Sequence, residues 1–131
     1  MSRSHSFDAV RLFAALADPT RLRLLNLMDG REVCVCYFAE ILGESQPKIS
    51  RHLAYLRRAG VVRARRDGKW MHYRIEPPAN PAGASILETV LASLRADSRM
   101  RADLKRLDRA CCRPGEIVAL ERAPLPARNG V

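Results

Sequence analysis

No stretch of this 131-residue sequence approaches the roughly 18 consecutive apolar residues of a membrane-spanning helix, and its first residues lack the apolar run of a secretory signal. The expectation is a cytoplasmic protein with no membrane partner. Aromatic residues are scarce at 5%, so the core must come from Leu, Val, Ala and Ile, which suits packed helices better than a β-sandwich. No Gly-rich phosphate loop occurs, which excludes a nucleotide-hydrolysing site of that kind. His5, His52 and His72 are the three histidines, and none stands in a recognisable constellation with a cysteine. A cysteine-dependent enzyme would therefore lack its base, and no catalytic residue is assigned. Internal repeats are also absent.

What is present is positive charge in one place. The formal charge is +9, yet residues 45–74 alone hold nine Lys and Arg against the single acid Asp67. A polyanion is the natural partner of such a surface, because each neutralised phosphate releases condensed counterions. The four cysteines fall in two close pairs, Cys34/Cys36 and Cys111/Cys112. In a reducing compartment such pairs point to metal or redox chemistry rather than to a disulfide framework.

The chain length suits one domain, expected over residues 1–110, with a tail at 111–131. Phe7, Val10, Phe13 and Leu16 recur at helical spacing, and Asp18-Pro19 reads as the cap and first position of a second helix. That helix runs to Gly30 with Leu22, Leu24, Leu25, Leu27 and Met28 as core. A third short helix is expected over 33–42, ended by Gly43. Ser45 then caps a fourth, in which Ile49, Leu53 and Leu56 form an apolar stripe opposite Lys48, Arg51, Tyr55 and Arg58.

Residues 61–66 and 69–75 alternate around Asp67-Gly68, a two-residue hairpin turn. Pro77, Pro78, Pro81 and Gly83 mark 76–85 as a linker. Ser85 and Glu88 then form a capping box for a helix reaching Leu107 or beyond, whose apolar stripe is either a lid on the core or a dimer seam. Past Arg113 the composition reads as a loose tail.

Two helices joined by Gly43-Glu44-Ser45 and followed by a basic hairpin give the order of a winged helix-turn-helix, mainly α with a β-hairpin wing. The fourth helix would enter the major groove of double-stranded DNA with Gln46, Lys48, Ser50, Arg51 and His52 leading. Gln and Arg suit adenine and guanine edges, and Ser45 and Lys48 suit phosphates. His52 can equally be a packed edge residue beside Leu53. The hairpin residues Arg65, Arg66 and Lys69 would lie along the flanking backbone or minor groove.

The runs Glu32-Val33-Cys34-Val35-Cys36, Ser45-Gln46-Pro47-Lys48-Ile49-Ser50-Arg51-His52-Leu53 and Gly68-Lys69-Trp70-Met71-His72-Tyr73-Arg74 closely resemble the arsenic-responsive repressors of the ArsR/SmtB family, over about residues 7–108. The resemblance implies a homodimer, joined through its first and last helices (about 7–17 and 86–108). Such a dimer binds a two-half-site operator of metalloid-resistance genes and leaves it when As(III) or Sb(III) binds cysteine thiolates. No prosthetic group is implied. Many members supply a third thiolate three residues after the second, where this chain has Ala39, and some carry Asp where it has Tyr37. Cys111 or Cys112, from either subunit, is the candidate replacement. A small thiol or a methylated arsenical would also satisfy the count. Zinc-sensing relatives use His on the last helix, and cadmium and lead sensors add N-terminal cysteines; this chain has neither.

Thiolates are the right ligands for a soft ion. Were both cysteines in a regular helix, i and i+2 would point about 200° apart, so ligand binding is expected to unwind the first turn of the third helix and shift its neighbour. The rival within this fold is a thiol-redox or persulfide sensor, in which a cysteine of the third helix joins Cys111 or Cys112. A sequence-blind nucleic-acid packaging protein would share the charge and not the cysteine pairs.

Overall fold

The computed structural model describes residues 8–112 and 123–128. Among them the order is α1 (Ala9–Leu16), α2 (Pro19–Leu27), β1 (Arg31–Cys34), α3 (Val35–Leu42), α4 (Gln46–Arg58), β2 (Val62–Asp67), β3 (Trp70–Ile75), α5 (Pro81–Arg95), α6 (Ser98–Cys112) and β4 (Ala127–Arg128). This is the mainly helical winged helix-turn-helix that the sequence order suggests. Helix starts follow local chemistry: Asp8 and Asp18 accept from the N–H groups of Arg11 and Arg21, and Pro19 occupies the first turn of α2, where a missing donor costs nothing. Phe7 lies outside the described residues.

The core joins the inner faces of all the helices. Leu12, Leu24, Leu25, Leu27, Phe38, Ile49, Leu53, Leu56, Leu87 and Leu107 are all buried. Gly43 ends α3 in the left-handed conformation, φ 68°, which a side chain adopts only at a cost. Two residues later Ser45 opens α4, accepting a hydrogen bond from the N–H of Lys48 at 3.3 Å. The junction between the two helices is thus fixed at both ends.

Four expectations shift. The segment 31–34 is a strand, so α3 begins at Val35 and Cys34 is its cap in extended conformation. The hairpin registers Asp67 opposite Trp70, which makes Gly68-Lys69 the two-residue turn; Gly68 takes φ 61°. The stretch read as linker opens a helix: Asn80 caps α5 by accepting from the N–H groups of Ala82 and Gly83, with Pro81 at the first position. The long terminal helix is two helices, because Asp97 accepts from the N–H groups of Arg99 and Met100 and starts α6.

The sheet runs in the order β2-β3-β1-β4, and the described neighbours pair antiparallel. Of the expected tail, Cys111 and Cys112 close α6, and residues 127–128 pair with Arg31 and Glu32 of β1. Residues 113–122 and 129–131 lie outside the described residues.

Candidate DNA-binding face and thiol site

The outer face of α4 carries Gln46, Lys48, Ser50 and Arg51, all exposed, while Ile49, Leu53 and Leu56 anchor its inner face. Lys48 pairs with Glu44 one turn earlier, at 2.9 Å. His52 lies at the edge of this face, lining one concavity with Lys48, Arg51 and Arg21. Its ring is half-buried, with Nδ1 3.3 Å from Nη1 of Arg21 and 4.0 Å from Asp18. It packs against α2, the alternative that the sequence left open.

Arg21 was not flagged by the sequence, since nothing local distinguishes it from the other arginines. Its Nε and Nη2 donate to the carbonyls of Ala15 (2.8 Å) and Ala14 (3.0 Å) at the end of α1, and its guanidinium lies 4.1 Å from the Tyr55 ring centroid. One side chain therefore ties α1, α2 and α4 together. Charge-assisted bonds of this kind contribute about 1.5–3 kcal/mol each. Arg21→Ala should lower unfolding stability by about 2–4 kcal/mol in urea titration. Arg21→Lys should recover little of it, because an ammonium cannot span both carbonyls and stack on the ring.

In the wing, Arg66 and Lys69 are exposed, and Lys69 lies 5.2 Å over the Trp70 ring. Arg65 is engaged with the protein instead. It grips the carboxylate of Glu32 with Nη2 at 2.7 Å and Nε at 3.1 Å, which holds Glu32 below the usual carboxylate range.

The thiol pair lies where β1 becomes α3. Both cysteines are buried, and the Cys36 thiol donates to the Cys34 sulfur at 3.4 Å. The opposed geometry expected of a regular helix does not arise, because Cys34 is extended and only Cys36 is helical. The pair is brought together without unwinding. The Cys36 thiol is the main influence drawing the Cys34 pKa down; burial opposes it, and the backbone N–H groups of Cys36, Val35 and Met71 assist. The Cys36 pKa is pushed up, first by the proton it shares with Cys34 and then by burial.

Tyr37 adjoins the pair, fully buried, and its hydroxyl has no hydrogen-bond partner among the described residues. Burial, then Cys111, Cys36 and Cys34, raise its pKa to about 12. Cys111, in the last turn of α6, is therefore electrostatically close to the same ring, and it packs on the core. The Cys112 side chain lies outside the described residues. Among the described residues no group of three His, Cys, Asp or Glu is arranged to hold a metal ion, and no helix is long and apolar enough to cross a membrane.

The model of the family described as "Bacterial regulatory protein, arsR family" matches residues 18–64, from the cap of α2 into the wing. The arsenic resistance transcriptional regulator ArsR2 of Pseudomonas putida is 40% identical over 102 residues, 74% of this chain and 86% of that one. The chain belongs to the arsR family. Family members are transcriptional regulators, so this chain is a DNA-binding repressor and not an enzyme. The arsenical resistance operon repressor of Escherichia coli is 46% identical over 80 residues, 60% of this chain and 68% of that one. Among solved structures, the AntR antimony-specific transcriptional repressor superposes with a TM-score of 0.54 at 33% identity, covering 72% of this chain and 83% of that one. Reduced HlyU from Vibrio cholerae superposes with a TM-score of 0.55 at 32% identity, covering 68% and 90%.

Proposed function

We propose that this chain is a cytoplasmic As(III)- or Sb(III)-responsive repressor, which binds the operator of a metalloid-resistance operon as a homodimer and leaves it when the metalloid binds Cys34 and Cys36. The observation that carries this reading is the 3.4 Å separation of the two sulfurs. With metal–sulfur bonds of about 2.3 Å, as in zinc thiolates, sulfurs so placed subtend roughly 95° at a shared ion. That angle suits a pyramidal trivalent metalloid better than tetrahedral zinc, and relatives named for arsenical resistance and antimony specificity agree with it.

Cys111 or Cys112 supplies the third sulfur. Because the first two are already together, the element that moves on loading is α6, closing on α3. Ser45, Gln46, Lys48, Ser50, Arg51, Arg66 and Lys69 form the DNA-facing set. The exposed apolar side chains Val10 and Phe13 of α1 belong to the dimer seam, which sets two reading helices about 34 Å apart.

The test uses an operator selected by the protein from a random duplex pool. Arsenite or antimonite should weaken operator binding by about 5- to 150-fold, the usual range of a coupling between two sites. Release by peroxide with none by arsenite would overturn the metalloid reading and favour thiol-redox sensing.

A further inference from the structure

Residues directly opposite on paired strands share one face of a sheet, as do residues i and i+2 of one strand. The register sets Cys34 opposite His72, and His72 opposite Arg65. These three form one row across β1, β3 and β2, and Glu32 stands on the same face two residues before Cys34. Arg65 reaches diagonally from that row to Glu32, and His72, between them on β3, is 4% exposed. The grip is two-pronged, from Nε and Nη2 of one planar fork, and such geometry separates a useful surface ion pair from an incidental one. The Glu32 side chain is only 12% exposed, so the carboxylate is fixed, while that of Arg65 is 53% exposed.

We propose that Glu32 is a positioning residue for operator binding: it seats the wing, through Arg65, on the strand that ends in Cys34. Arg65 then serves the wing's placement and is not itself a phosphate contact. The proposal rests on the reading of this chain as a repressor that uses its wing on DNA. It also gives the thiol site a route to the DNA besides α3 and α4, because β1 carries both Glu32 and Cys34.

Operator binding by the full-length dimer should be measured across a salt series for wild type, Glu32→Gln, Arg65→Gln, the double variant and the exchanged pair Glu32→Arg/Arg65→Glu, with thermal midpoints as a folding check. Each single variant should weaken binding roughly threefold to tenfold, the double no more than either, as expected of two members of one interaction. The exchanged pair should recover to within about twofold, and the slope of log K against log salt should stay constant throughout. If Arg65→Gln lowers that slope by about one while Glu32→Gln tightens binding, Arg65 is a phosphate contact with Glu32 as its competitor, and the proposal fails. An exchanged pair as weak as the single variants overturns it too. If wild type enriches no operator, the repressor reading itself fails, which is a distinct result.

Discussion

Asp103→Ala should lower unfolding stability by about 3 kcal/mol, the low end of the range for breaking a buried ion pair by removing one partner. Asp103 is 3% exposed and lies between Arg23, which it meets at 2.8 and 3.1 Å, and Arg106. Removing it strands two cations. Both reach solvent in part, Arg23 at 25% and Arg106 at 49%, which keeps the loss from the top of the range. The contact joins α2 to α6 and is flanked by Asn26, whose Nδ2 donates to the Met100 carbonyl at 2.9 Å.

Acid should act on the same contact. Burial works to raise the Asp103 pKa, but hydrogen bonds from Arg23 and Arg106 outweigh it and leave the group below the ordinary carboxylate value. A group lowered in the folded state contributes its full stability above the unfolded pKa of about 3.9 and loses it as pH falls through the folded value. Urea titrations from pH 6 to pH 2 should show a steeper acid loss for wild type than for Asp103→Asn. Equal slopes would mean that the ion pair adds nothing.

Cys34→Ser should abolish metalloid-driven release, bringing the ratio of operator affinities without and with arsenite from the 5- to 150-fold range to about one. Operator affinity without arsenite should stay within about twofold of wild type. Stability should fall by about 1–3 kcal/mol, because the site is fully buried and the new hydroxyl must find a partner there, a cost that serine's preference for helix caps offsets only in part. Cys36→Ser should abolish release equally and likewise places a hydroxyl at a buried site, 3% exposed; Cys34→Ala and Cys36→Ala are the cleaner variants. Cys111→Ser and Cys112→Ser, read by arsenic absorption spectroscopy, should show which one reduces three sulfur neighbours to two. Full release in Cys34→Ser would remove this thiol from the sensor.

Much of the DNA-facing half was legible in the sequence, because its signals are local. The stripe Ile49, Leu53 and Leu56, the cap at Ser45 and the glycine at 43 are read within one window of chain, and the structure keeps each in that role. The hairpin slipped by one residue for an equally local reason, since Asp67-Gly68 and Gly68-Lys69 both place a glycine where a positive φ is needed. The start of α5 was hidden by composition: Pro81 and Gly83 look like a linker, yet proline at the first helical position after Asn80 is a start signal. Asp97 lies inside an apolar stripe that continues on both sides, so periodicity passed over the break.

What the sequence could not supply is contact across long separations. Strand β1 is four residues long and becomes a strand by pairing with Tyr73 and His72, about forty residues later, and with residues 127–128. Missing it placed both cysteines in a helix and turned their sulfurs apart. His52 was ambiguous for the same reason, since its partner Arg21 is 31 positions away. From the sequence alone Arg65 reads as a free wing cation, because Glu32 is 33 positions away.

A helix usually keeps its cap whatever the cell contains, because Ser, Asp or Asn at that position is chemically inert. Helix α3 is different: the residue at its mouth is Cys34, which makes no side-chain capping hydrogen bond and whose ionised form the N–H groups of Cys36 and Val35 favour. The charge at the mouth of this helix is therefore a quantity the surroundings can set. An electrophile that takes charge from the sulfur removes a favourable negative charge from the N-terminus of the helix that leads, through Gly43 and Ser45, into α4.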